Sequence, residues 1–361
     1  MTTMTISLLE RNERSETSRR TKRSFDSRFH PRLSAPSCRP RRLSARRVLL
    51  DALTESDYQE NPSECRIPPM PASPFPSPYR PFVTTEWLAE KLGSPDLVVL
   101  DASYYLSTQN RDADAEYLAS HIPGALRFDI ERVADKTTTL PHMLPSAEQF
   151  AAQVGEMGIS ETDTIVVYDG LGLFSAPRVW WTFRLFGAEK VFVLEGGFPR
   201  WVAEGRPVEA GSVTRPPKTF RVTTPADLVA RSVADVARVQ KTIAERSAQV
   251  VDARANDRFR GAAPEPRPGL PSGHIPGSFN VPHAALVEDG LLVPPEKVAA
   301  AFAAGGVDLD KPVLTSCGSG VSAAVLWIAL DTLGKAPVAL YDGSWTEWAG
   351  RGDLPIATGE G

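Results

Sequence analysis

The chain carries its own sequence twice. From Val83 onward, Leu-Val-Val-Leu-Asp101-Ala is matched by Gln-Val-Val-Asp252-Ala, and His121-Ile-Pro-Gly by His274-Ile-Pro-Gly. Thr-Ile-Val-Val-Tyr-Asp169 is matched by Lys-Pro-Val-Leu-Thr-Ser-Cys317, and Val-Leu-Glu195-Gly-Gly with Trp201 by Leu-Tyr-Asp342-Gly-Ser with Trp348. The offsets of 151, 153, 148 and 147 residues drift only slightly, as they do when a duplicated domain gains and loses loop residues. Each copy falls within the usual size of one domain, so what one copy folds into the other must fold into as well.

The copies alternate short apolar runs with helical ones. Val250–Asp252, Val313–Ser316 and Val338–Tyr341 are apolar without alternation, the pattern of strands covered on both faces. Val298–Ala304 and Ala323–Leu333 read as helices, the second stopped by Gly334, and Ala176–Phe186 is stopped in the same way by Gly187. The expected fold class is α/β: tandem domains, each a mostly parallel sheet flanked by helices. Residues 81–207 and 226–361 are expected to be those domains, with the Pro-rich, polar stretch 208–225 as the linker.

Residues 1–80 read differently. The first fifty hold twelve Arg and one Lys against four acids, and Cys65 to Pro81 is dense in proline. This is the composition of a disordered leader and an extended linker. The leader is either an organelle transit peptide, which its four acids argue against, or sequence upstream of a true start at Met70. The net charge of −4 argues against nucleic acid as partner, and no apolar run reaches the length of a membrane span. Cys38, Cys65 and Cys317 form no CxxC pair, which argues against a zinc site or disulfide scaffold and favours a reducing compartment. No cofactor and no metal is expected.

The chemistry concentrates at Cys317, between the strand Val313–Ser316 and the helix from Ala323. Amides of a strand-to-helix loop and the positive helix end favour negative charge, hence the thiolate, the nucleophilic form of cysteine. Gly318 and Gly320 supply backbone freedom for a tight cradle. The matching position in the first copy is Asp169, which cannot act as a sulfur nucleophile, so that copy should be catalytically silent.

Tandem His-Ile-Pro-Gly motifs, a loop cysteine in the second copy alone and Cys317-Gly-Ser-Gly-Val-Ser-Ala resemble the two-domain rhodanese superfamily, within it most nearly the mercaptopyruvate branch. Ala176-Pro-Arg-Val-Trp-Trp181, Asp257-Arg-Phe-Arg-Gly261, Pro264-Glu-Pro-Arg267 and Tyr341-Asp-Gly-Ser-Trp345 extend the resemblance from Val83 to the C-terminus. It implies transfer of the thiol sulfur of 3-mercaptopyruvate through a persulfide on Cys317 to cyanide or a thiol, thioredoxin included. By the same resemblance Arg258 and Arg267 bind the donor, together with the loop residues Gly318, Gly320, Val321 and Ser322; Ser322 stands where the family usually has Thr. Ser319, His121 and Asp112 match a proposed proton relay, although the repeat of His121 at His274 also fits an architectural turn.

The loop argues against two neighbouring activities. Thiosulfate sulfurtransferases, by resemblance, follow the cysteine with Arg and Lys, whereas Gly318 and Ser319 are uncharged and suit a smaller monoanion. Phosphatases of the related fold need Cys-x5-Arg, and here the sixth residue is Ala323. The alternatives kept are a thiosulfate:cyanide sulfurtransferase and a non-enzymatic persulfide carrier or interaction module. A monomer is expected, cytoplasmic, or in the mitochondrial matrix if the leader is a transit peptide.

Overall fold

Runs of four or five buried apolar residues cannot sit at the rim of a sheet facing water, and in the computed structural model they form its centre. The structure describes residues 80–361; Cys38, Cys65, Met70 and the rest of the leader lie outside the described residues. The first sheet contains β1 (Phe82–Val83), β2 (Leu97–Asp101), β3 (Leu126–Arg127), β4 (Thr164–Tyr168) and β5 (Val191–Leu194), in the order β1-β5-β4-β2-β3. The second contains β6 (Val233–Ala234), β7 (Gln249–Asp252), β8 (Phe279–Asn280), β11 (Val313–Ser316) and β12 (Ala339–Tyr341), in the order β6-β12-β11-β7-β8. Every pairing within the two sheets is parallel, and the two orders correspond strand for strand. The α/β class and the duplication are therefore seen as read from the sequence. A small antiparallel hairpin, β9 (Val287–Glu288) and β10 (Leu291–Leu292), is added to the second copy.

Helices Ala176–Leu185 and Ala323–Thr332 follow the central strands β4 and β11. Both are buried on nearly every side, because each covers its own sheet and packs on the other, with Trp181 and Trp327 edge to face at 5.9 Å. One continuous apolar cluster runs from Val98 in the first sheet to Leu340 in the second, so the two domains share a core. Gly187 and Gly334, at φ +100° and +67°, end these helices in the left-handed region that glycine adopts without strain.

The stretch 208–225 is extended chain laid on the first domain. Glu209 bridges to His121, the Lys218 amide donates to the Gly155 carbonyl at 2.9 Å, and Phe220 is buried in the aromatic cluster of Phe150 and Phe183. This arrangement brings the C-terminal end of β11 against loops of the first domain.

Candidate active site

Cys317 follows β11 at the carboxyl edge of the second sheet, where ligands of parallel sheets bind. It is a free, buried cysteine. The loop that carries it is fastened at several points. Ser344 Oγ accepts from the amides of Cys317 (3.2 Å) and Gly320 (3.1 Å) and donates to the Tyr341 carbonyl at 2.7 Å. The Trp345 amide donates to the Cys317 carbonyl at 2.9 Å, and the Thr346 amide and hydroxyl donate to the Gly318 carbonyl. Ser344 pays for this with a backbone φ of +50°, unusual for a residue with a side chain.

Of the two loop glycines only Gly320 needs its conformational freedom, at φ +77°; Gly318 has an ordinary backbone, which corrects the expectation for that residue. What Gly318 supplies is room, since a Cβ there would lie 3.3 Å from Arg258 Nη2. Ser322 caps no amide of the following helix. The helix start therefore faces the Cys317 loop without a side-chain cap.

The first copy shows what such a loop attracts. There the Asp169 carboxylate accepts from the amides of Leu171, Phe174, Ser175 and Ala176 at 2.8–2.9 Å, and it is wholly buried. The cradle of the first domain is thus filled by its own anion.

A cavity of about 40 Å³ opens over Cys317, lined by Gly318, Ser319, Val321, Ser322, Arg254, Arg258, Arg267 and His283 from the second domain and by Tyr104, Leu106 and Phe174 from the first. The structure brings together Cys317, Ser319, Val321, Ser322, Gly318, Arg258 and Arg267; Gly320 holds the loop from behind. Arg258 is already matched: its Nη2 meets Glu265 Oε2 at 2.5 Å. Glu265 also pairs with Arg254, which pairs in turn with Asp252, all three side chains being almost completely buried. Burial works against the Arg254 charge, but Asp252 and Glu265 outweigh it and hold the guanidinium above its usual value. Arg267, in contrast, has no carboxylate within ion-pair distance among the described residues. It donates instead to His142 Nε2 at 3.1 Å and lies 3.5 Å from the Tyr104 hydroxyl. The cavity therefore presents one cation free to meet a monoanion.

His283 was not anticipated from the sequence. Its Nδ1 lies 3.1 Å from the Ala253 carbonyl, which fixes that nitrogen as the N–H, and burial, aided by the Arg258 charge, pushes the imidazole below its ordinary value.

His121 and Asp112 do not reach this cavity, a correction to the relay expected of them. Asp112 is exposed and caps the helix Ala113–Ala119, accepting from Asp114 and Ala115. His121 is buried against the Tyr117 ring, with Nδ1 at 2.7 Å from the Tyr117 carbonyl and Nε2 at 3.1 Å from Glu209. His274 repeats the arrangement on Phe259, and each histidine closes an antiparallel bridge, to Glu209 and to Ala357. The motif is shared by both copies because both need that turn.

The first domain contributes Arg178 to the site. Its guanidinium donates to Asp342 Oδ1 at 2.6 Å, to the His142 carbonyl at 2.9 Å and to the Gly320 carbonyl at 3.3 Å. None of these contacts is local in sequence.

Comparison with known proteins agrees with this geometry. The rhodanese-like domain matches residues 84–204 and 235–351. The 3-mercaptopyruvate sulfurtransferase of Escherichia coli K12 is 45% identical over 276 residues, 76% of this chain and 97% of that protein. The thiosulfate sulfurtransferase of Bos taurus is 46% identical over 281 residues, 76% and 93% of the two chains. The crystal structure of SseA from Escherichia coli, described as a 3-mercaptopyruvate sulfotransferase, matches with a TM-score of 0.67 and 42% identity over 74% of this chain and 99% of that one. Overall identity is nearly equal for the two kinds of relative, so the residues around the sulfur must discriminate between donors.

Proposed function

This chain belongs to the rhodanese family, as two rhodanese-like domains in tandem, and we propose from that premise that it moves the thiol sulfur of 3-mercaptopyruvate through Cys317 to a thiol or cyanide. The Cys317 thiolate attacks the thiol sulfur of the donor. The carbon–sulfur bond breaks, its electron pair leaves on carbon as the enolate of pyruvate, and the enolate takes up the proton released by the thiol. A persulfide remains on Cys317, and an acceptor thiolate or cyanide takes its outer sulfur, returning the Cys317 thiolate. Two transfers replace one difficult step.

The observation that carries the donor choice is the charge around Cys317. Gly318 and Ser319 add none, Arg258 is neutralised by Glu265, and Arg267 alone is left to meet a carboxylate. A monoanionic keto acid fits that balance better than doubly charged thiosulfate. The 46% identity to a thiosulfate sulfurtransferase favours thiosulfate as the second reading.

Intact-mass measurement after incubation with mercaptopyruvate tests donor and nucleophile together. The expected result is one added sulfur atom, lost on treatment with cyanide, with pyruvate released and no addition in Cys317→Ser. A faster loading by thiosulfate than by mercaptopyruvate would favour the second reading, and no loading by either would leave a non-enzymatic module.

For acceptor and assembly the reading is a small thiol or thioredoxin and a monomer. Among the described residues no helix is long and apolar enough to cross a membrane. The location proposed is the cytoplasm, with the mitochondrial matrix as alternative, because a catalytic thiol must remain reduced in either. Imaging of the full chain and of residues 70–361 as fusions distinguishes the two.

A further inference from the structure

His283 stands three residues beyond β8, at the head of the short turn His283–Leu286. It is half-buried in the wall of the Cys317 cavity, its ring 5.3 Å from that of Phe174 of the first domain. The Ala253 carbonyl accepts from it twice, from the His283 amide at 3.0 Å and from Nδ1 at 3.1 Å. The ring is thereby pinned with its hydrogen on Nδ1 and a lone pair on Nε2. Nε2 meets no protein group among the described residues. The other polar side chains lining the cavity are three arginines, Tyr104 and two serines, which are donors or neutral hydroxyls. Apart from the sulfur itself, Nε2 is the one base in that lining.

The duplication supplies an internal comparison. Asp101 pairs with Arg127 in the first sheet as Asp252 pairs with Asn280 in the second. Three residues further on, the first copy has Ile130, buried and apolar, where the second has His283. Packing at this place is satisfied by an aliphatic side chain, and an ionisable ring stands only in the copy that holds the cysteine. Arg258, on the helix Asn256–Phe259, is the charged group that bears on the ring; with burial it favours the neutral form, against the pull of the Ala253 carbonyl. The elements packed on the turn carry Glu288, Glu296, Lys297 and Asp331, and none of these acts on the ring. Glu288 and Lys297 pair with each other at 2.8 Å.

We propose that His283 is the general base for thiol acceptors: Nε2 takes the proton of an incoming thiol as its sulfur attacks the persulfide on Cys317. The new bond joins the acceptor sulfur to the outer sulfur, which keeps its own proton. The bond from the outer sulfur to Cys317 breaks, and its electron pair returns to Cys317 as the thiolate. The proton on Nε2 then passes to water on the open side of the ring. An ordinary thiol, with a pKa of about 8.5, is mostly protonated at neutral pH and attacks only as the thiolate, so this step needs a base. The donor half-reaction sheds no proton, because the one released by the donor thiol ends on pyruvate.

The inference rests on the proposed function only in requiring a persulfide on Cys317, and the test supplies that persulfide chemically. The full chain carrying Cys38→Ser and Cys65→Ser is loaded with inorganic polysulfide, and loss of the sulfur from Cys317 is followed by intact mass. One acceptor is 2-mercaptoethanol; the other is sulfite, which at mildly alkaline pH has no proton to lose. His283→Gln should slow discharge by the thiol about 100-fold at neutral pH, the scale of a positioned base, and discharge by sulfite far less. His283→Phe should do the same. The parent rate with the thiol should be flat from neutrality to the thiol pKa and fall in acid, whereas in His283→Gln it should climb about tenfold per pH unit with the thiolate fraction. Equal slowing of both acceptors overturns the proposal. So does a parent rate that already follows the thiolate fraction, a measurement that needs no variant at His283. Failure of 3-mercaptopyruvate to load Cys317, with the flat parent profile present, would instead count against the proposed donor alone.

Discussion

Arg178 of the first domain and Asp342 of the second meet at 2.6 Å, both side chains less than 5% exposed. The same arginine reaches the Gly320 carbonyl in the Cys317 loop. The first domain is therefore part of the wall behind the nucleophile.

Arg178→Ala should leave the Asp342 carboxylate buried without its partner. Breaking a buried pair in this way costs about 3–5 kcal/mol, and the loop should also lose its brace at Gly320. Thermal unfolding and the rate of persulfide formation check this. Arg178→Ala with both values parental would show the contact to be dispensable.

Ser344→Ala tests the clamp on the loop. Two buried amides, those of Cys317 and Gly320, would lose their acceptor, each at a cost of about 1–3 kcal/mol if left unsatisfied. Sulfur loading should slow more than the melting point falls, because the geometry at Cys317 is disturbed first. Ser344→Gly should relieve the positive φ yet load as poorly, since it too lacks the hydroxyl. Normal loading by either variant would remove Ser344 from the site.

The two arginines should not contribute equally. Arg267→Ala removes the unmatched cation, and its effect on donor kcat/KM should approach about 10- to 150-fold, the range for a lost charged hydrogen bond. Arg258→Ala should cost less, because Glu265 already takes up much of its charge; Glu265→Gln should then enhance capture of anions. Equal losses from both arginine variants would reverse this assignment.

Acid should destabilise the fold through its buried histidines. His142 and His283 are both held below the ordinary 6.5, chiefly by burial. Below about pH 6.5 the unfolded chain binds protons at these sites that the native one refuses, so stability falls as pH falls through that range. Above it the contribution is complete and flat. Urea titrations between pH 5 and 8 measure the slope, and His142→Gln should reduce it.

The strands, helices and the place of Cys317 were legible because local pattern specifies them: unbroken apolar runs, glycine stops and a strand-to-helix loop. Arg258 and Arg267 were found from their motifs. The relay through His121 and Asp112 was misplaced, because a motif present in both copies answered to the turn both copies need. Arg178, Glu265 and Ser344 lie inside motifs that carried the resemblance, yet nothing in those motifs told their roles, and His142 lay in none of them. Each acts across more than the span of one element, and Arg178 reaches Gly320 from 142 positions away in the chain. Only the folded chain places them at the sulfur.

The Asp169 carboxylate in the first cradle has a consequence for loading capacity. Four amides that could have cupped an incoming anion are engaged by a residue the ribosome placed there, so that pocket should be neither charged nor discharged. Gly290, at the tip of the β9–β10 hairpin, closes over it so tightly that a Cβ on Gly172 would lie 2.6 Å from the Gly290 Cα. Each molecule should then hold a single transferable sulfur atom per cycle, and Asp169→Cys would add a thiol without adding a second working port.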